Sequence, residues 1–81
     1  MTTNESKKVV EEEYSRAMLG VLVERIKEIR KAKKLTQKQL AELMGVNQPE
    51  IARIERGESA PNLSTLYKFL FAVDARLEII Y

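Results

Sequence analysis

The stretch that decides the fold runs TQKQLAELMGVNQPEIARIERG, from Thr36 to Gly57. Thr36 with Gln39 three residues on is a capping-box arrangement, in which two residues at a helix start satisfy each other's open backbone groups. Leu40, Leu43 and Met44 supply the buried face of a short helix, which Gly45 ends. A second start follows at once. Asn47 stands as cap, Pro49 lies in the first turn where its missing N–H costs nothing, and Glu50 sits near the positive helix end. This helix runs to about Arg56 and stops at Gly57. Two short helices divided only by Gly45, Val46 and Asn47 form a helix-turn-helix unit, which presents its second helix to the major groove of DNA.

A helical wheel tests that reading. At 100° per residue Ile51 and Ile54 point to one side, while Pro49, Ala52, Arg53 and Arg56 form a stripe on the other. On the outward stripe Arg53 is suited to donate two hydrogen bonds to guanine, and Gln48, near the helix start, to bond bidentately to adenine. Pro49 and Ala52 complete the expected base-reading set, with apolar contact alone to offer. Lys38 and Arg56 are expected on phosphates, Gln37 joins them through its amide and the N-terminal N–H groups of its helix, and Asn47 is counted with them. The competing reading is that these side chains merely solubilise a surface helix.

Working outward, Val10, Tyr14, Ala17, Met18, Val21, Leu22, Ile26 and Ile29 recur at three- and four-residue steps, as one face of a helix reaching about Ala32 and interrupted, if anywhere, near Gly20. Beyond Gly57, a loop over 58–62 contains Pro61. Leu63, Leu66, Tyr67, Leu70 and Phe71 then mark another amphipathic helix ending near Asp74. The terminal RLEIIY alternates like a short strand. The organisation expected is a flexible tail over 1–6, an N-terminal helical extension and first helix over 7–34, a helix-turn-helix core over 35–75 and a C-terminal strand over 76–81.

Composition narrows the function. Eighty-one residues make one domain with a modest core. Cysteine and histidine are both absent, which removes thiolate nucleophiles, the commonest general base and the usual transition-metal ligands. Neither an enzyme nor a cofactor or metal site is expected, and no small-molecule substrate is evident. No apolar run approaches the roughly 20 residues of a membrane span, and the N-terminus has no apolar signal region, so a cytoplasmic location is expected. The net charge of +2 conceals an asymmetry: residues 1–24 sum to −2, residues 25–56 to +5 and residues 57–81 to −1. A basic middle third is what phosphate binding requires.

The run TQKQLAELMGVNQPEIARIERGESAPNLSTLYKFL resembles the Cro/C1-type (XRE) helix-turn-helix family from about Arg25 to Val73, through the motifs TQxxLA, MGV, IARIERG and PxxxTL. The resemblance implies an all-α, lambda-repressor-like bundle of four to five helices that binds operator DNA as a homodimer. It also implies Gln37 on phosphate, Gln48 and Arg53 on bases, and a buried salt bridge between Arg30 and Glu55. Pro49 departs from the pattern by replacing a polar base-reading residue. With an acidic helical extension before the motif and RLEIIY behind it, the chain is further similar to antitoxins of the HigA and HipB type, which repress their own operons and neutralise a toxin protein. Val9, Val10, Tyr14 and Val23 are then the expected toxin contacts. Leu77, Ile79, Ile80 and Tyr81 are expected to join two copies strand to strand. The alternatives are a stand-alone regulator of the same family, or a protein-interaction module that has lost DNA binding.

Overall fold

The computed structural model describes the backbone of residues 3–81 and the side chains from residue 7 onward. Four helices follow one another: α1, Thr3–Ala32; α2, Gln37–Met44; α3, Gln48–Glu55; and α4, Leu63–Ala72. Thr36 accepts from the Gln39 N–H at 3.0 Å while the Gln39 side chain accepts from the Thr36 N–H at 2.9 Å, closing the capping box of α2. Asn47 and Asn62 cap α3 and α4 by accepting from the Glu50 and Thr65 amides at 2.9 and 2.8 Å. Each cap satisfies a first-turn amide that has no partner within its helix.

All four helices end in one device. Lys34, Gly45, Gly57 and Asp74 hold φ of 60°, 70°, 79° and 57°. In each case the next N–H donates to the carbonyl five residues back: Leu35 to Arg30, Val46 to Ala41, Glu58 to Arg53 and Ala75 to Leu70, at 2.8–3.1 Å. This is the Schellman arrangement, which satisfies terminal carbonyls at the cost of one left-handed residue.

Helix α2 packs on α3 and α4, and α1 packs on α3. Between them lies a core of Ile26, Leu40, Ala41, Met44, Ile51, Ile54, Leu66, Phe69, Leu70 and Val73. Only the C-terminal part of α1 reaches it, through Ile26 with Leu22, Val23 and Ile29 beside it. The N-terminal half projects, and the molecule measures 47 × 29 × 19 Å.

Several expectations are corrected. Helix α1 begins at Thr3, so residues 3–6 are helical and not a loose tail; residues 1 and 2 lie outside the described residues. It runs unbroken through Gly20, where a Cβ would meet open space, because one glycine is a small cost in a long helix. The apolar positions of α1 do not form one buried face: Val10, Tyr14, Met18 and Val21 are exposed. At 100° per residue Val10, Tyr14 and Val21 fall within about 40° of one another and about 120° or more from Ile26, so these positions span two faces of α1, and only the face that carries Leu22, Ile26 and Ile29 meets the domain. Leu43 is 61% exposed, and on α4 the buried side is Leu66, Phe69 and Leu70 while Leu63, Tyr67 and Phe71 face outward. Residues 76–81 form no strand among the described residues, since an isolated segment in a single helical domain has no neighbour to complete a ladder.

Candidate nucleic-acid interface

The interface is built on one buried ion pair. Arg30, from the last turn of α1, donates from Nε to Glu55 Oε2 at 2.7 Å and from Nη2 to Glu55 Oε1 at 2.8 Å. Its Nη1 donates to the Leu35 carbonyl at 2.7 Å. One guanidinium thus ties the end of α3 to α1 and to the turn before α2, with both residues 7% exposed. Burial by itself would raise the Glu55 pKa, but the hydrogen bonds from Arg30 and Gln37 and the charges of Arg30 and Lys27 hold it below the usual carboxylate value. A bidentate geometry, with each of the three guanidinium nitrogens bonded, is what makes a buried pair tolerable.

From this pair a line of hydrogen bonds leads to the surface. Gln37 Nε2 donates to Glu55 Oε1 at 2.9 Å, and Gln48 Nε2 donates to Gln37 Oε1 at 2.7 Å. Gln37 and Gln48 are the first residues of α2 and α3, so the link spans the two helix N-termini. It fixes the Gln48 amide while leaving its Oε1 and one N–H unspent, one acceptor and one donor, the set that adenine N6 and N7 require. A shallow hollow lined by Thr36, Gln37, Lys38, Ala41, Glu42, Val46 and Gln48 lies alongside. Sequence reasoning assigned Gln37 to phosphate and missed this link. The signal was available in two glutamines that each open a helix of the same unit.

The other candidates divide. Gln48, Pro49 and Arg53 are exposed on one side of α3, but Ala52 is 9% exposed. Its place on the reading stripe is corrected: α3 is covered on more than its isoleucine face because α1 and α2 both pack on it. Arg53 and Lys38 are exposed and take no ion-pair partner among the described residues. Arg56 donates to Glu58 at 2.8 Å, a bond that raises the Arg56 pKa and holds Glu58 below its ordinary range. A phosphate at Arg56 therefore competes with that carboxylate. The Asn47 side-chain oxygen Oδ1 accepts from the Glu50 N–H in the α3 cap, so the group Asn47 can offer a phosphate is its side-chain NH2.

The remaining assignments lie away from this face. Val9, Val10 and Tyr14 are exposed on the projecting part of α1, whereas Val23 packs against the chain's own core and is withdrawn from the toxin-contact set. Leu77, Ile79, Ile80 and Tyr81 are exposed, in irregular backbone. No helix among the described residues is long and apolar enough to cross a membrane.

Two short capped helices, braced by a buried ion pair and presenting Gln48 and Arg53 outward, define the class: a helix-turn-helix DNA-binding protein. The helix-turn-helix family model HTH_3 matches residues 26–70, and the chain belongs to that family, which is of the XRE type. Its class is that of DNA-binding transcriptional regulators. It is similar to an uncharacterized HTH-type transcriptional regulator of Haemophilus influenzae, 42% identical over 71 residues, covering 86% of this chain and 72% of that one. It is also similar to antitoxin HigA1 of Mycobacterium tuberculosis, 41% identical over 59 residues, where the match covers 73% of this chain and 40% of HigA1. In structure it resembles the restriction-modification controller protein C.AhdI of Aeromonas hydrophila, with a TM-score of 0.68, 33% identity and coverage of 75% and 88% of the two chains. An HTH_3 family transcriptional regulator of Vibrio cholerae gives 0.67 and 32%, covering 75% of this chain and 35% of that one.

Proposed function

We propose that this chain is a sequence-specific repressor that reads a two-fold operator in double-stranded DNA as a homodimer, with α3 in the major groove. The observation that carries the reading is the Arg30–Glu55–Gln37–Gln48 line, which holds one amide in a fixed orientation at the start of α3, the helix that also exposes Arg53. Gln48 and Arg53 specify bases, and Pro49 adds apolar contact. Lys38, Arg56, the Asn47 amide nitrogen and the helix α2 N-terminus attract phosphate. Gln37 acts first as the orienter of Gln48, in the way a bound side chain is locked by a second one behind it. The exposed Leu77, Ile79, Ile80 and Tyr81 offer a second copy apolar contact without a strand. A duplex selected from a random pool and titrated against Gln48→Ala tests this: the variant is expected to lose discrimination at one position, and equal affinity for selected and random duplexes in the unsubstituted chain would refute it.

The finer reading is antitoxin, supported by the likeness to HigA1. Co-expression with the product of the adjacent gene tests it. Restored growth on co-expression supports a toxin partner, and a neighbour that is harmless alone leaves a stand-alone regulator.

A further inference from the structure

We infer that the projecting half of α1 is a second, separate self-recognition surface, on which a second copy of this chain pairs antiparallel about a two-fold axis between Ser15 and Arg16. The face in question is formed by Val10, Tyr14, Ala17 and Val21, all exposed and at three- and four-residue steps along an unbroken helix. It lies on the far side of α1 from Ile26 and Arg30, the positions that face the domain, so nothing in a single chain covers it. Spacing of this kind is the seam of a short coiled coil. Lys7 and Glu24 continue the same seam at its two ends.

What selects a second copy as the occupant is the register. In an antiparallel pair related by that axis, Val10 meets Val21, Tyr14 meets Ala17 and Lys7 meets Glu24 of the other copy. Large thus sits on small, and unlike charges close both ends of the seam. A parallel pair would instead set Tyr14 on Tyr14, Lys7 on Lys7 and Glu24 on Glu24. A two-fold interface must be self-complementary, and this seam is so in only one of the two orientations. The helix is already anchored by its C-terminal half, so pairing does not bear the cost of nucleating it.

The chain contains no cysteine, which makes the register directly testable without DNA, so that failure here and failure of the operator reading are told apart. Val10→Cys and Val21→Cys variants of the whole chain are kept reduced, then oxidised with air or oxidised glutathione, each alone and as an equimolar mixture. The mixture is expected to give mainly the mixed disulfide dimer, because Val10 lies beside Val21 and roughly 16 Å along the axis from its own copy. Self-disulfides forming as readily as the mixed one would overturn the register. Tyr14→Lys, at a position 66% exposed in the single chain, is expected to weaken self-association in sedimentation equilibrium by about tenfold or more with an unchanged far-UV spectrum. Lys7→Glu should weaken it as well, with Glu24→Lys in the same chain restoring it. Unchanged association in Tyr14→Lys, or a stripe protected only by a different protein, would overturn the inference.

Discussion

At the residue scale one carboxylate carries the most. Glu55 receives two hydrogen bonds from Arg30 and one from Gln37 in a nearly dry site, so removing its charge strands a buried guanidinium. Glu55→Gln is expected to cost roughly 3–5 kcal/mol, read by denaturant unfolding. An unchanged midpoint would show the pair to be dispensable. The same group sets a pH dependence. Its pKa is lower in the folded chain than the unfolded value near 4.5, so the unfolded state binds its proton first. The stabilisation is complete above that value and is lost as pH falls through the lower folded one. Acid titration of stability in the unsubstituted chain should show this loss, and Glu55→Gln should not. On DNA, Arg53→Ala is expected to cost roughly 1–3 kcal/mol per half-site and to relax preference at one guanine. If random duplex weakens by as much as operator, Arg53 touches only the backbone.

At the element scale the helix ends govern what is tolerated. Gly45 and Gly57 hold left-handed backbone that a Cβ resists even where space is open. Gly45→Ala is therefore expected to destabilise by roughly 1–2 kcal/mol. Gly20 is the opposite case, a glycine inside a helix with ordinary backbone and nothing near its absent side chain. Gly20→Ala should stabilise by roughly 0.5–1 kcal/mol, a rise of several degrees in Tm for a domain of this size. A fall in Tm would mean that α1 bends at Gly20 in solution. Lys34 and Asp74 take the same left-handed conformation without being glycine. Asp74 also accepts from the ammonium of Lys33, the residue before Lys34, at 3.4 Å, an exposed contact worth little by itself.

At the scale of the whole molecule the distribution of charge matters more than its sum. The +5 of residues 25–56 gathers around the helix-turn-helix, while the flanks are net negative. Binding is expected to fall steeply with salt for every duplex. Lys38→Ala should lower the slope of log affinity against log salt by about one, equally for operator and random DNA. A slope that does not change would remove Lys38 from the phosphate contacts, and a change confined to operator would make it a base reader.

What the sequence alone determined was local: the starts of α2 and α3, their glycine ends, the isoleucine pair that faces inward and the location of the positive charge. The helix starts, their ends and the isoleucine pair each depend on residues within one helical turn of each other, where spacing translates directly into geometry, and the charge is a plain count along the chain. The Arg30–Glu55 pair was legible only through resemblance, because 25 residues separate its partners and no local spacing brings them together. What the tertiary structure decided was which apolar side of each helix meets another helix. Periodicity marks a stripe but not its partner, so Leu43, Tyr67, Phe71 and the early stripe of α1 read as core by spacing yet stay outside, while Ala52 reads as surface yet is buried in a helix on which α1 and α2 both pack. The Gln37–Gln48 link and the absent strand have the same origin, since both depend on what stands beside a residue in space, and that neighbour is supplied by the fold.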